Sequence, residues 1–199
     1  MMNLTIIKKL DRVAAIIFAL LTLVFLYMMT RETFFEWAFE RHQNQLSWYS
    51  RPLFLIPYCY FAFRRSLAGI MISLFALLTS MFWFPQPEVV SEQVKEFLRF
   101  ERQYLTTDWN RAKILLTTTV PISMSLLALA FWKRNLWFGV TVIVLMAVGK
   151  LIWSVYNAGD AGMSILVPVL IGLGDLLVAG GFGLPQDAGA LIKSPNRTD

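Results

Sequence analysis

The sequence has few of the residues that most reaction sites need. Its 199 residues include one cysteine, Cys59, and one histidine, His42. A lone cysteine excludes an internal disulfide, and one imidazole without further thiols excludes a zinc site built from Cys and His ligands. The sequence also lacks the glycine-rich phosphate loops, the G-x-S-x-G turn and the H-E-x-x-H helix of common enzyme families. We therefore predict that the chain is not an enzyme and has no catalytic residue, cofactor or metal.

Charge is scarce as well. Charged residues make up 16% of the chain, hydrophobic residues 57% and aromatic residues 15%, and the mean hydropathy is +0.57. Soluble domains are about 45–50% apolar and about 25% charged. A chain of this size buries only about 70% of its surface. The composition therefore predicts one all-α domain over residues 1–199, a polytopic helix bundle in contact with the lipid bilayer and not with nucleic acid.

Six apolar runs are long enough to cross a bilayer, which takes about 20 residues in a helix. They cover residues 13–29, 48–63, 67–84, 114–132, 136–156 and 163–183. The second run is the least regular, because its uninterrupted part is short. We predict six transmembrane helices.

Basic residues in the short connections predict the orientation. Arg64 and Arg65 join the second and third runs, and Lys133 and Arg134 join the fourth and fifth. Lys and Arg in short loops favour the cytoplasmic side. We therefore predict a bacterial inner-membrane protein with both termini in the cytoplasm, the carboxyl terminus as a tail over 184–199.

Two longer segments, 30–47 and 85–113, lie outside in this topology. Each places apolar residues at helical spacing and glutamates on another side. Such segments are too polar to span and favour the membrane interface. We predict two external amphipathic helices over the outer mouth of the bundle. They act either as a lid or docking surface, or as passive connections resting among the headgroups.

Two ionisable residues fall inside the predicted spans. A carboxylate at the centre of a span is costly, so Asp175 must face protein or water. Lys150 lies on the preceding span. Three roles stay open for this pair: an ion pair that joins two helices, a protonatable site on an ion path, or a catalytic carboxylate.

Prolines give a second indication of polarity inside the bundle. Pro57, Pro121 and Pro168 lie at similar depths on three helices, and each frees a backbone carbonyl. An outward-facing vestibule explains this pattern, although proline is also common in membrane helices. We predict a polar pocket formed by Asp175, Lys150, Thr117, Ser125, Pro121, Pro168 and Gly172.

The hairpins around Arg65 and Arg134 resemble each other weakly. Pro52 and Pro121 each lie thirteen residues before the arginine, which is too little to establish a duplication.

The predicted pocket favours permeation or transport of a small solute or ion. The alternative is an accessory or assembly subunit without activity of its own, which binds another membrane protein or a second copy.

Overall fold

The computed structural model describes the backbone of residues 4–182 and the side chains of residues 5–174. Every regular element in that part of the chain is helical, so the all-α prediction is confirmed there. The predicted tail over 184–199 lies outside the described residues. The α-helices are α1 (Leu4–Met28), α2 (Glu32–His42), α3 (Leu46–Leu53), α4 (Leu55–Phe63), α5 (Leu67–Thr79), α6 (Glu92–Thr106), α7 (Arg111–Trp132), α8 (Leu136–Ala158) and α9 (Leu166–Phe182), with 3₁₀ turns at Ser80–Phe82 and Gly159–Ile165.

Three helical stretches are long and apolar enough to cross a membrane. They are Thr5–Met28, Arg111–Trp132 and Leu136–Gly174, and the last of these includes α8, a 3₁₀ turn and half of α9. Leu67–Phe82 is a shorter apolar helix. The predicted span over 48–63 is divided into α3 and α4 at Phe54. Because Pro57 has no N–H to donate to the carbonyl four residues earlier, the helix tightens at this position.

The helices pack in a continuous sequence of neighbours. α1 lies on α5, α5 on α4, α4 on α7, α7 on α8 and α8 on α9, which also contacts α3. The chain reverses at Gly159, whose φ of +54° suits glycine. On α9, Gly172 comes so close to α3 that an added Cβ would lie 2.5 Å from the Cβ of Pro52. Helices α9 and α3 are therefore in close contact at this glycine.

Two hydrophobic clusters fill the bundle. One joins α4, α5, α7 and α8, and within it the Tyr58 hydroxyl donates to the carbonyl of Met124 at 2.9 Å. The other includes Phe39 of α2, Phe97 of α6 and Ile165 of the second 3₁₀ turn. An ion pair between Glu36 and Arg102 also joins α2 to α6. The two amphipathic helices therefore lie together, at the end of the bundle away from the basic connections.

The two basic hairpins, α4–α5 and α7–α8, turn in the same way. Arg65 and Arg134 have φ values of 57° and 58°, in the left-handed region. The residue after each arginine donates its N–H to the carbonyl five residues earlier, at 3.0 and 2.9 Å, as in a Schellman motif. That residue, Ser66 or Asn135, then caps the next helix with its side chain.

The hairpins also contact each other reciprocally. Arg65 Nε donates to the carbonyl of Trp132 at 3.3 Å, and the Arg134 guanidinium lies 4.8 Å from the centre of the Phe63 ring. Phe63 and Trp132 hold equivalent positions, two residues before their arginines. The two hairpins thus contact each other through equivalent positions, and their weak sequence resemblance has a counterpart in the backbone of the turns.

Asp11 attaches α1 to the start of α5. Its carboxylate accepts hydrogen bonds from the Ser66 hydroxyl at 2.6 Å and from the N–H groups of Leu67 and Ala68 at 3.0 and 3.3 Å. A carboxylate at a helix N-terminus satisfies free N–H groups and is stabilised by the helix dipole. The connection between α4 and α5 therefore also positions the first helix.

Candidate functional site

The residues predicted for the polar pocket lie on different surfaces of the described bundle. On α9, Pro168 and Gly172 are buried. The side chain of Asp175 lies outside the described residues. Its proposed pairing with Lys150 therefore stays a prediction.

The members on α7 face outward. Pro121 and Ser125 are exposed, Thr117 is half-buried, and the Ser125 hydroxyl donates to the carbonyl of Pro121 at 2.8 Å. This hydrogen bond satisfies the hydroxyl within its own helix. Among the described residues, no neighbouring helix covers the proline face of α7. This face therefore does not line a pocket there.

Lys150 reaches from α8 to α6. Its Nζ lies 2.9 Å from Glu101 Oε1 and above the rings of Trp153 and Phe97, at 4.6 and 5.5 Å from their centres. A lysine on a span tends to extend its ammonium toward the nearer interface. Here it reaches a carboxylate on one of the amphipathic helices, in a segment that the sequence places outside the membrane.

Helix α6 contacts α8 close to α3, and we call this region the Glu101 junction. On α6 its residues recur at spacings of four and three, which places them on one face. Glu101 thus continues the apolar face of α6, and an acid on such a face is the sequence signal that could have revealed the site. The junction comprises Phe97, Glu101 and Tyr104 of α6, Lys150, Trp153 and Ser154 of α8, and Arg51 of α3.

Three buried polar atoms of the junction have no hydrogen-bond partner among the described residues. They are Arg51 Nε, Tyr104 Oη and Ser154 Oγ. A buried polar atom left unpaired costs about 1–3 kcal/mol. Buried polar groups in folded proteins are almost always satisfied by protein, water or a ligand. Their partners are therefore water, a ligand, or a side chain outside residues 5–174.

His42, at the end of α2, borders the junction. Its Nδ1 lies 2.9 Å from Ser47 Oγ, and Trp48 Nε1 donates to its carbonyl at 2.9 Å. Because the Ser47 hydroxyl donates to another carbonyl, it accepts from Nδ1–H. Burial, followed by the charges of Arg51 and Lys150, lowers the pKa of His42 well below its ordinary value. The ring is therefore neutral near pH 7.

The neutral state of His42 predicts a loss of stability in mild acid. The unfolded chain takes up a proton near pH 6.5, whereas the folded chain takes it up only at lower pH, so unfolding is favoured as the pH falls through this range. We expect the free energy of unfolding in detergent to decrease from pH 7.5 to 5.5, by at most about 1.4 kcal/mol per pH unit. The His42→Gln variant should lack this component, and an unchanged slope in that variant would contradict the assignment.

Two clefts open beside α2. One, of about 290 Å³, is lined by residues of the α2–α3 connection and the start of α6, including Gln43 and Ser91. The other, of about 460 Å³, lies between the end of α1 and α2, next to Arg31 and Trp37. Neither cleft includes residues of the Glu101 junction.

The donor set does not indicate a metal. Among the side chains of residues 5–174, no three His, Cys, Asp or Glu residues lie close enough to share an ion. Comparisons with protein-family models, curated proteins and solved structures found no match to this chain.

Proposed function

We propose that the chain is a multi-pass membrane protein that binds a small solute or ion at an outward-facing polar site and passes it across the membrane. The observation that supports this function is the Glu101 junction, where the ion pair of Lys150 and Glu101 accompanies three buried polar atoms, Arg51 Nε among them, that have no partner among the described residues. Ionisable groups are expensive within a membrane and mark functional sites there by default.

In this proposal the chain crosses the membrane six times. The segment from α3 to α4, 46–63, then spans about 27 Å at the rise of an α-helix. Helices α2 and α6 lie at the outer interface, and the basic hairpins and both termini lie in the cytoplasm of a bacterium. The positive-inside rule supports this orientation. The packing of α2 against α6, at the end away from both basic hairpins, agrees with it.

Cysteine labelling tests whether the site is wet and open to the outside. In a Cys59→Ser background, Lys150→Cys should react with a membrane-impermeant methanethiosulfonate added outside intact cells. The Lys150 side chain is 44% exposed, and its thiol replacement reacts only if that surface faces water. Leu145→Cys is the matched control on the same helix, because Leu145 is 65% exposed but has no place in the site. Equal labelling of the two cysteines, or labelling of Lys150→Cys only from the cytoplasm, would contradict the proposal.

Passage of a solute across the membrane is measured with the purified chain in proteoliposomes. Proteoliposomes should take up glycerol, urea or, with valinomycin, potassium chloride faster than empty liposomes, as followed by light scattering. Lys150→Met should slow the uptake of whichever probe enters.

The second candidate is an accessory or assembly subunit that binds another membrane protein or a second copy. It is favoured by α7, where Leu115, Val120 and Ile122 are 69%, 60% and 56% exposed. Helices in a membrane associate through such faces by close packing. Uptake by the purified chain, as a monomer in liposomes, would favour transport over this alternative.

A further inference from the structure

We propose that the cleft between the end of α1 and the start of α2 binds an anionic phospholipid, with its phosphate at Arg31 and an acyl chain on the apolar wall. We call this space the α1–α2 cleft. It is lined by Met28, Arg31, Thr33, Phe34 and Trp37. The inference requires that α1 crosses a membrane. It goes beyond the proposed function, because it depends neither on solute passage nor on the side of the membrane where α2 lies.

The α1–α2 cleft lies at the level of the lipid headgroups. The apolar run over 13–29 is bounded by Arg12 and Arg31. A bilayer core about 30 Å thick takes about 20 residues in a helix, so this run places one arginine at each surface of the membrane. Trp37 in the cleft and the neighbouring Tyr27 are both exposed. Amphipathic rings of this kind are enriched where hydrocarbon meets headgroups.

The lining of the cleft contains one cation and no acid. The Arg31 guanidinium lies 5.6 Å from the centre of the Tyr27 ring and forms no ion pair with the described residues. On α2, Glu36 pairs with Arg102, and neither of the other acids of that helix lines the cleft. Asp175 belongs to α9, which packs on α3, α4 and α8, whereas the cleft lies between α1 and α2. Because arginine binds phosphate oxygens through two parallel hydrogen bonds, the cleft is complementary to a phosphate and not to an ammonium group.

The other lining residues combine an apolar wall with two free polar groups. The rings of Phe34 and Trp37 are in contact, with their centres 5.4 Å apart, and Met28 adds to the same wall. The Thr33 hydroxyl and Trp37 Nε1 make no hydrogen bond with the described residues, and both are able to donate. The volume of about 460 Å³ is within the range of small-ligand sites, about 300–1000 Å³.

An apolar path leads from the cleft into the membrane. Val24 and Leu21 precede Met28 by four and seven residues, which places all three on one side of α1. Both are exposed along the length of the bundle. An acyl chain that leaves the cleft is therefore in contact with apolar side chains, whereas a water-soluble phosphate has no use for this surface. The occupant that fits the whole feature is a lipid.

The test is lipid binding to the purified full chain in detergent, measured by native mass spectrometry. Dioleoylphosphatidylglycerol and dioleoylphosphatidylcholine have the same chains, but only the first has a net negative charge. Each is titrated at constant ionic strength. We expect one phosphatidylglycerol to bind about tenfold more tightly than phosphatidylcholine, which is the effect of one charge-assisted hydrogen bond.

Two variants that remove one positive charge separate the cleft from the general charge of the surface. Arg31→Gln should lose most of the preference for phosphatidylglycerol. Arg99→Gln is the matched control, because Arg99 is exposed on α6 and does not line the cleft. It should keep the preference.

Thr33→Trp tests the space itself without changing the charge. Thr33 is exposed in the lining, so a large ring there should fill the cleft and weaken phosphatidylglycerol binding as much as Arg31→Gln does. If Arg31→Gln does not fold, this variant decides the question, and unchanged binding overturns the inference. Glycerol 3-phosphate, which has the anion without the chains, should not displace the lipid at equal concentration. Displacement would assign the cleft to a free phosphate compound instead.

Three further results would overturn the inference: equal affinity for the two lipids, an unchanged preference in Arg31→Gln, or an equal loss in Arg99→Gln. Lipid-free dimers that Thr33→Trp disrupts would assign the cleft to a second copy of the chain and count against it too. Each of these outcomes is distinguishable from failure of the proposed function, which is read from labelling of Lys150→Cys and from solute uptake. Neither of those measurements involves the α1–α2 cleft.

Discussion

Replacing Gly69 by alanine is expected to destabilise the chain by about 3 kcal/mol, at the upper end of the usual cost of overpacking a core. Gly69 lies near the start of α5, where α5 packs against α4. A Cβ added there would overlap the Cβ and Cγ atoms of Phe61. The Phe61 Cβ, 2.6 Å from the added atom, is bonded directly to the backbone of α4. Turning the ring therefore does not remove the overlap, and the two helices must separate.

Two other glycines provide graded controls for this prediction. At Gly139, in the second hairpin, an added Cβ meets the tip of the Phe131 ring at 2.7 Å, and the tip of a side chain can move. We therefore expect a loss of about 1 kcal/mol there. At Gly149, within α8, an added Cβ meets nothing within 4 Å. Alanine should be neutral or raise stability there by up to about 1 kcal/mol, because it favours a helix.

The measurement is the free energy of unfolding in mixed micelles of detergent and dodecyl sulfate, taken for the three alanine variants in parallel. Lipid and detergent tails are as apolar as the core, so helices such as α4 and α5 are stabilised by their close packing and not by removal of apolar surface from water. Equal losses at Gly69 and Gly149 would show that the two helices do not approach each other as described.

The helical class and the main apolar stretches could be predicted from the sequence because length and hydropathy act locally along the chain. The same holds for the turns at Arg64–Arg65 and Lys133–Arg134, where a polar break between apolar runs indicates a hairpin. The number of membrane-spanning helices could not be predicted in this way. Pro57 divides one stretch into α3 and α4, and another is completed only by the 3₁₀ turn after α5. Length alone therefore identifies three spans.

The partners of individual charges could not be predicted, because they depend on which helices meet. Asp11 is one acid among several near a basic face, and only the docking of α1 on α5 shows it to be a helix cap. In the sequence, Lys150 and Asp175 each interrupt an apolar run, so Asp175 is the partner that hydropathy suggests for Lys150. Its described partner is Glu101, 49 residues earlier on an amphipathic helix. The packing of α6 against α8 determines this pairing. The only indication of it in the sequence is Glu101, an acid on the apolar face of α6.

Removing one partner of the Lys150–Glu101 ion pair is expected to destabilise the chain. Lys150→Met leaves the Glu101 carboxylate, 20% exposed, without its cation. Removing one partner of a fully buried pair costs about 3–5 kcal/mol, and partial exposure of Lys150 reduces the expected loss to about 2 kcal/mol. Glu101→Gln should cost less, because a lysine freed from its partner can extend toward the interface. The double variant should recover most of the loss, giving a coupling energy of about 1–2 kcal/mol.

Lys95 and Glu92 form the matched control pair on the same helix. Their side chains are 45% and 85% exposed, and exposed pairs of this kind contribute about 0–1 kcal/mol. The same cycle on Lys95→Met and Glu92→Gln should therefore give almost no coupling. Additive effects at Lys150 and Glu101 would mean that α6 is not held against α8 by this contact.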